Sequence, residues 1–213
     1  MKVFVTGTDT DVGKTEISQF LLKSAMNEGM DVLAIKPIET GVEELKLQGE
    51  KTDLERLKDS TNGAACSFYQ YKIPASPWQA ATVENKTIDP KRLVQSIYDK
   101  AKSMEFVLVE GAGGWHVPIT KNYLISDLAK ELGWPVLLVS SDKIGTINHT
   151  LLSCESIGNS VSKFSVVINK KCPGGDVAGS SEQLKSLLKT NTWSYSRESS
   201  NNDFWKAFRA WDI

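Results

Sequence analysis

Histidine, cysteine and long apolar runs are all scarce in this sequence, and each scarcity closes off a class of function. Only two histidines occur in 213 residues. His116 and His149 stand in no metal-ligand spacing, so both are read as structural or solvent-facing. The three cysteines, Cys66, Cys154 and Cys172, are odd in number, far apart and outside any Cys-x-x-Cys pattern. They predict reduced thiols instead of a disulfide framework. No apolar run approaches the roughly 20 residues of a membrane helix, and no charged leader precedes the first apolar segment. These absences predict a cytoplasmic protein. Charge of one sign is missing as well: 25 basic against 26 acidic side chains leave a formal charge of −1. That balance gives no support to a nucleic-acid or membrane-surface role.

What the chain does have is alternation. Short, β-branched apolar runs recur at VFV (3–5), VLAI (32–35), FVLV (106–109), VLLV (136–139) and FSVVI (164–168). Consecutive apolar positions of this length predict strands buried on both faces. Amphipathic stretches separate them, over residues 16–29, 89–104, 123–133, 146–158 and 179–189. The second carries Asp89 as a cap and Pro90 at the first helical position. Strand and helix in alternation imply right-handed crossovers and a doubly wound, mostly parallel α/β sheet with helices on both faces. One domain over 1–213 is expected at this length. Residues 40–88 are the least regular and are expected to pass over the site; the serine- and asparagine-rich stretch 194–203 reads as a surface loop before a last short helix.

Ligands of such sheets bind beyond the carboxyl ends of the strands, and four loops are expected there. GTDTDVGKT (7–15) separates the first strand from the first helix. Exposed amides and the helix dipole suit a phosphate, with Lys14 to neutralise its charge and Thr15 to offer a hydroxyl to Mg²⁺. Five residues separate its two glycines, one more than in the common phosphate loop. KPIETG (36–41) puts Lys36 at the end of the second strand. EGAGGWHVP (110–118) ends the third strand on Glu110, a carboxylate that is costly there without a cation, and Gly111, Gly113 and Gly114 allow a ligand close to the backbone. The fourth loop, 140–149, opens a helix at Gly145 to Asn148 and reads either as an anion site or as a cap.

Together these loops resemble the dethiobiotin synthetase family, ATP-dependent enzymes that close the ureido ring of biotin. The resemblance runs in order over about residues 1 to 172: the nine-residue loop, KPIETG, KTD (51–53), SPWQAA (76–81), VEGAGGWHVPI (109–119), GTINHTLL (145–152) and VINK (167–170). In that family the long loop spacing is the normal form. A related branch, the partition and septum-positioning ATPases, carries an early lysine in the loop where this chain has Thr8, Asp9 and Thr10.

The resemblance implies a P-loop NTPase-like fold and a set of roles. Asp11, Val12, Gly13, Lys14, Thr15 and Glu16 hold the ATP phosphates, with Gly111, Ala112 and Gly113 lining the same region. Asn169 and Lys170 lie at the base. Thr15, Asp53 and Glu110 are the expected Mg²⁺ partners, oxygen donors that suit a hard ion. Lys36 is the implied active-site lysine, acting with Lys14 and Thr10; Thr10, Thr40 and Gly114 meet the substrate's reacting end. Thr146, Ile147 and Asn148 take its distant carboxylate from the partner subunit of a homodimer. The implied reaction carboxylates 7,8-diaminononanoate with CO2 and closes the ring at the expense of ATP.

The C-terminal part departs from the family. Many members carry a Gly-Glu-Ile-Pro-like segment near residues 190–200, and here the sequence is KTNTWSYSRESSN. Trp193, Trp205 and Trp211 are expected to pack a terminal helix. Two rivals share such loops: an amidoligase of the cobyrinate branch, which usually carries a glutaminase domain, and a nucleotide switch of the partition type, which the missing early lysine disfavours.

Overall fold

The structure is a computed structural model that describes residues 1–171, 180–196 and 202–211. Cys172 and residues 197–201 of the predicted surface loop lie outside the described residues. In chain order the elements are β1 (Lys2–Gly7), α1 (Lys14–Asn27), β2 (Val32–Ile35), β3 (Ile38–Glu39), α2 (Val42–Leu47), α3 (Asp53–Ser60) and β4 (Ala65–Cys66). Next come β5 (Tyr69–Gln70), α4 (Pro77–Val83), α5 (Pro90–Ala101), β6 (Phe106–Gly114), β7 (Pro118–Thr120), β8 (Tyr123–Leu124) and α6 (Ile125–Leu132). The chain then runs through β9 (Val136–Ser141), α7 (Thr146–Gly158), β10 (Phe164–Asn169), α8 (Ser180–Leu187), β11 (Thr192–Tyr195) and α9 (Asn202–Arg209).

Seven strands form one sheet in the order β11-β10-β9-β1-β6-β2-β4, and every pairing is parallel. The first strand is therefore central, with neighbours reached by crossovers on either side, so the loop after it opens where the strand order reverses. Alternate residues of each strand face opposite layers. Phe4, Leu33, Ile35, Val107, Val109 and Leu138 pack under α4 to α8, while Val3, Val5, Phe106, Leu108 and Val139 pack under α1 and α9. Runs that are apolar at every position follow from this burial on both faces.

Local rules set several helix starts. Asp89 Oδ1 accepts from the Arg92 N–H at 3.1 Å and Pro90 opens α5, as expected. At α3, Thr52 Oγ1 accepts from the Glu55 N–H at 3.2 Å and Glu55 Oε2 accepts from the Thr52 N–H at 2.9 Å, a reciprocal cap.

Three expectations need correction. The third strand does not end before the glycines: β6 continues through Gly114, which pairs with Gly7 of β1 past a register shift, with Gly113 just before it in the left-handed conformation that glycine allows. Residues 40–88 hold three helices and the two short strands β4 and β5; short length and weak apolar periodicity hid them. Finally, Thr192–Tyr195 is an edge strand beside β10, with Tyr195 buried, where a loop was expected from residue 194. The terminal tryptophans pack as expected: Trp193, Trp205 and Trp211 join Phe20, Phe106, Phe204 and Phe208 in an aromatic layer on the α1 side.

Candidate active site

The loop after β1 is folded onto itself by its own residues. A Cβ on Gly7 would come within 2.8 Å of the Asp9 carbonyl oxygen and of Val12 Cγ2, so only glycine lets the loop turn back here. Asp11 takes φ 54° and Gly13, at the helix cap, φ 89°. Lys14 Nζ donates to the Asp9 carbonyl at 2.8 Å, which curls the lysine back along the loop. Burial pulls the Lys14 ammonium down to about 8, and the nearby Lys36 charge adds to the fall.

Below the loop, three strand and helix ends meet in one ionic cluster. Lys36 follows β2, Asp53 opens α3 and Glu110 lies within β6. Lys36 Nζ is 2.7 Å from Asp53 Oδ2 and 2.7 Å from Glu110 Oε1. Thr15 Oγ1 lies 2.8 Å from both Asp53 Oδ1 and Glu110 Oε1, its single O–H serving one at a time. Ser18, one turn further along α1, donates to Glu110 Oε2 at 2.7 Å. Glu110 is fully buried and Lys36 is 3 % exposed. Burial alone would lower the lysine, but the two carboxylates outweigh it and hold the ammonium above its ordinary range. Burial alone would raise Asp53; Lys36 and the Thr15 hydroxyl instead hold it down at about 2. The charged form of Lys36 is thereby favoured.

The cluster forms the floor of a cavity of about 680 Å³. Thr10, Asp11, Lys14, Lys36, Thr40, Asp53, Ala112 and Gly113 all line it, so eight of the residues singled out from sequence share one space. Thr15 and Glu110 sit directly behind, bonded to Asp53 and to Lys36 respectively. The stretch 40–88 supplies another wall, from Gly41 to Arg56 and from Pro74 to Pro77.

Other candidates lie elsewhere. Val12 is core, packed with β1 and α1. Gly111 faces Phe4 and Ile125, and a Cβ there would stand 3.2 Å from Ile125 Cγ2, so its role is packing. Gly114 abuts the Gly7 and Thr8 backbone. Asn169 is buried at the end of β10 and donates to the Val12 carbonyl at 3.2 Å and to Glu16 Oε2 at 3.4 Å, tying that strand to the phosphate loop. Lys170 is 3.9 Å from Glu182. Thr146 shares a 2.8 Å hydrogen bond with Ser140, and none of Thr146, Ile147 and Asn148 lines this cavity. His116 bonds Ser156, and both histidines are exposed.

Sequence reasoning missed Glu39, Ser18 and Lys171. Ser18 follows Thr15 at the i+3 spacing that shares a helix face, a signal that was legible. Lys171 meets Tyr195 at 2.8 Å and Glu16 at 3.4 Å, a juxtaposition only the sheet creates.

A glycine-turned loop at the centre of a parallel sheet, its lysine and threonine backed by one carboxylate from a helix start and one from within the neighbouring strand, defines the P-loop nucleoside triphosphatase class. The MinC:MinD cell division protein complex of Aquifex aeolicus has this fold, with 16% identity, 97% of this chain and 85% of that chain covered, and a TM-score of 0.57. A family model described as an AAA domain matches residues 1–192. The chain is 38% identical over 180 residues to the ATP-dependent dethiobiotin synthetase BioD of Anaeromyxobacter sp. (strain K), covering 82% of this chain and 78% of that one. It is 38% identical over 156 residues to the protein of the same name from Anoxybacillus flavithermus, covering 71% and 70%. The chain belongs to the dethiobiotin synthetase family.

Proposed function

We propose that this protein, as one catalytic unit over residues 1–213, makes dethiobiotin from 7,8-diaminononanoate, CO2 and ATP. The observation that carries the reading is the Lys36–Asp53–Glu110 cluster at the floor of a cavity walled by the phosphate loop. One amine of the diamine adds to CO2, losing a proton, to give a carbamate. A carbamate oxygen takes the γ-phosphoryl group of ATP, and ADP leaves. The second amine attacks the carbonyl carbon of the mixed anhydride; phosphate departs, a proton is lost, and a five-membered cyclic urea remains.

Each step joins anions, so the chain's main task is to position and neutralise them. The amides of residues 11–15 and the Lys14 ammonium suit the phosphates. The Lys36 ammonium, fixed at the floor, suits the carbamate. Thr10 and Thr40 offer hydroxyls beside it. A Mg²⁺ ion fits the oxygen set of Thr15, Asp53 and Glu110, where a hydroxyl already lies 2.8 Å from each carboxylate. Bound there, it would supply Lewis-acid neutralisation of phosphate oxygens. Asn169 and Lys170, at the end of β10 beside the loop, fall on the side left for the base.

A homodimer completes this reading. The start of α7 lies away from its own protomer's cavity, and large apolar side chains stand in the open nearby: Ile144, just before the helix, is 90% exposed and Leu152, within it, 59%. The helix-start amides at Thr146 to Asn148 suit the substrate's far carboxylate across such an interface; the Thr146 hydroxyl already bonds Ser140.

Phosphate release from Mg·ATP, measured with and without diamine and bicarbonate, tests the function. Release should require both, yield the cyclic urea and collapse in Lys36→Ala. Release that ignores the substrates would overturn the synthetase reading in favour of a nucleotide switch.

A further inference from the structure

Glu39 is a buried carboxylate for which the reaction above has no use. It ends β3, is 3 % exposed, lines the cavity, and has no cation within salt-bridge distance among the described residues. A charge so placed is costly unless other groups replace its water. Two do. Oε1 accepts from the Leu54 N–H at 3.0 Å, and Oε2 accepts from Gln70 Nε2 at 2.9 Å. Leu54 is the second residue of α3, directly after Asp53. The carboxylate therefore sits at the positive end of the α3 dipole and takes one of the N–H groups the helix cannot satisfy itself.

The reciprocal cap of Thr52 and Glu55 gives α3 its local shape, but both residues belong to the helix end itself. That cap decides where the helix begins, not where the beginning lies in the molecule. Glu39 links this beginning to the strand segment three residues after Lys36, and Gln70 of the paired strand β5 holds the carboxylate in place. Asp53 must reach Thr15 with one oxygen and Lys36 with the other, each within 2.8 Å. Its backbone has little freedom if both contacts are to persist.

The geometry points to Glu39 as a positioning residue: by fixing the first turn of α3 through Leu54, it holds the Asp53 carboxylate in the metal- and lysine-binding position. This inference rests on the proposed assignment of Thr15, Asp53 and Glu110 to a divalent cation. Supporting partners behind metal ligands typically govern affinity by about 10- to 100-fold.

Binding of Mn²⁺ to the full-length protein, followed by calorimetry and by the spin resonance of free Mn²⁺, tests it. Glu39→Ala is expected to weaken Mn²⁺ binding roughly tenfold. Glu39→Gln is expected to restore most of it, since its amide oxygen still accepts from Leu54 while Gln70 can turn its own oxygen to the new NH₂. Thermal unfolding of each variant accompanies the titration. Should Glu39→Ala fail to fold, Gln70→Ala carries the test, with a smaller loss of Mn²⁺ affinity and an unchanged melting temperature. Wild-type affinity in Glu39→Ala, or in Gln70→Ala where that variant stands in, overturns the inference, as does an equal loss in the alanine and glutamine variants. Asp53→Asn separates the two readings. If that variant binds Mn²⁺ like the wild type, the metal assignment itself fails; if it does not bind while Glu39→Ala keeps wild-type affinity, only the role of Glu39 fails.

Discussion

Lys36 and Glu110 meet at 2.7 Å inside the protein, from strands that are neighbours in the sheet, and Glu110 has no exposure to solvent. A buried pair of this kind binds its partners to one another's presence. Removing the lysine leaves two carboxylates with no cation, and breaking a buried pair from one side costs about 3–5 kcal/mol. Lys36→Met should therefore lose stability on that scale in urea unfolding, as well as turnover. Adding Glu110→Gln to it should recover part of the stability and none of the activity. A Lys36→Met protein as stable as the wild type would show that the cluster is not closed as described.

Lys14 gives a pH dependence with opposite signs for stability and binding. Its ammonium titrates at about 8 in the folded chain against 10.5 in the unfolded one, because burial disfavours the charge. Between these values the unfolded state holds more protons, so this group's contribution to stability rises with pH across that window. Nucleotide affinity should fall over the same window as the cation is lost, with the midpoint displaced upward by the bound phosphate. Calorimetric ATP titrations at rising pH check this, and Lys14→Met should abolish the slope.

Gly113 lines the cavity at φ 64° with Val117 Cγ2 only 2.8 Å from where a Cβ would stand. Gly113→Ala pays a left-handed backbone penalty of about 1–2 kcal/mol and also pushes Val117, another wall residue. We expect a lowered melting temperature and a raised KM. The double variant with Val117→Ala should relieve the clash and leave the backbone penalty, which separates the two causes.

The exposed apolar side chains of Ile144, just before α7, and Leu152, within it, predict assembly. Ile144→Glu together with Leu152→Glu should convert a dimer to monomers in analytical ultracentrifugation and raise KM for the diamine far more than for ATP. Unchanged sedimentation, or an equal effect on both substrates, would argue against an interface that carries substrate.

The local chemistry of this protein was legible because its signals are local. Glycine and lysine spacing in residues 7–15 is a backbone requirement, and unbroken β-branched runs are what strands buried on both faces demand. These marked the parallel α/β fold, the phosphate loop and Glu110, while a role for Lys36 came from family resemblance. Asp53 was found only through family resemblance, for nothing in its own neighbourhood sets it apart from a surface helix start. The β11 edge strand was hidden because its apolar residues pack against distant aromatics of α1 and α9 and not against sequence neighbours.

Sequence alone thus determined which residues carry the charge and where the backbone must turn. Tertiary structure decided which of them meet. Parallel crossovers bring positions 15, 36, 53 and 110 to one edge of the sheet, and distances of 2.7 to 2.8 Å there turn four separate side chains into one network. It likewise decided that Gly111 packs the core while Gly113 faces the cavity, and that a glutamate of the small β3–β5 pair bonds the start of α3. Such outcomes depend on the relative placement of elements, and burial of the whole core fixes that placement.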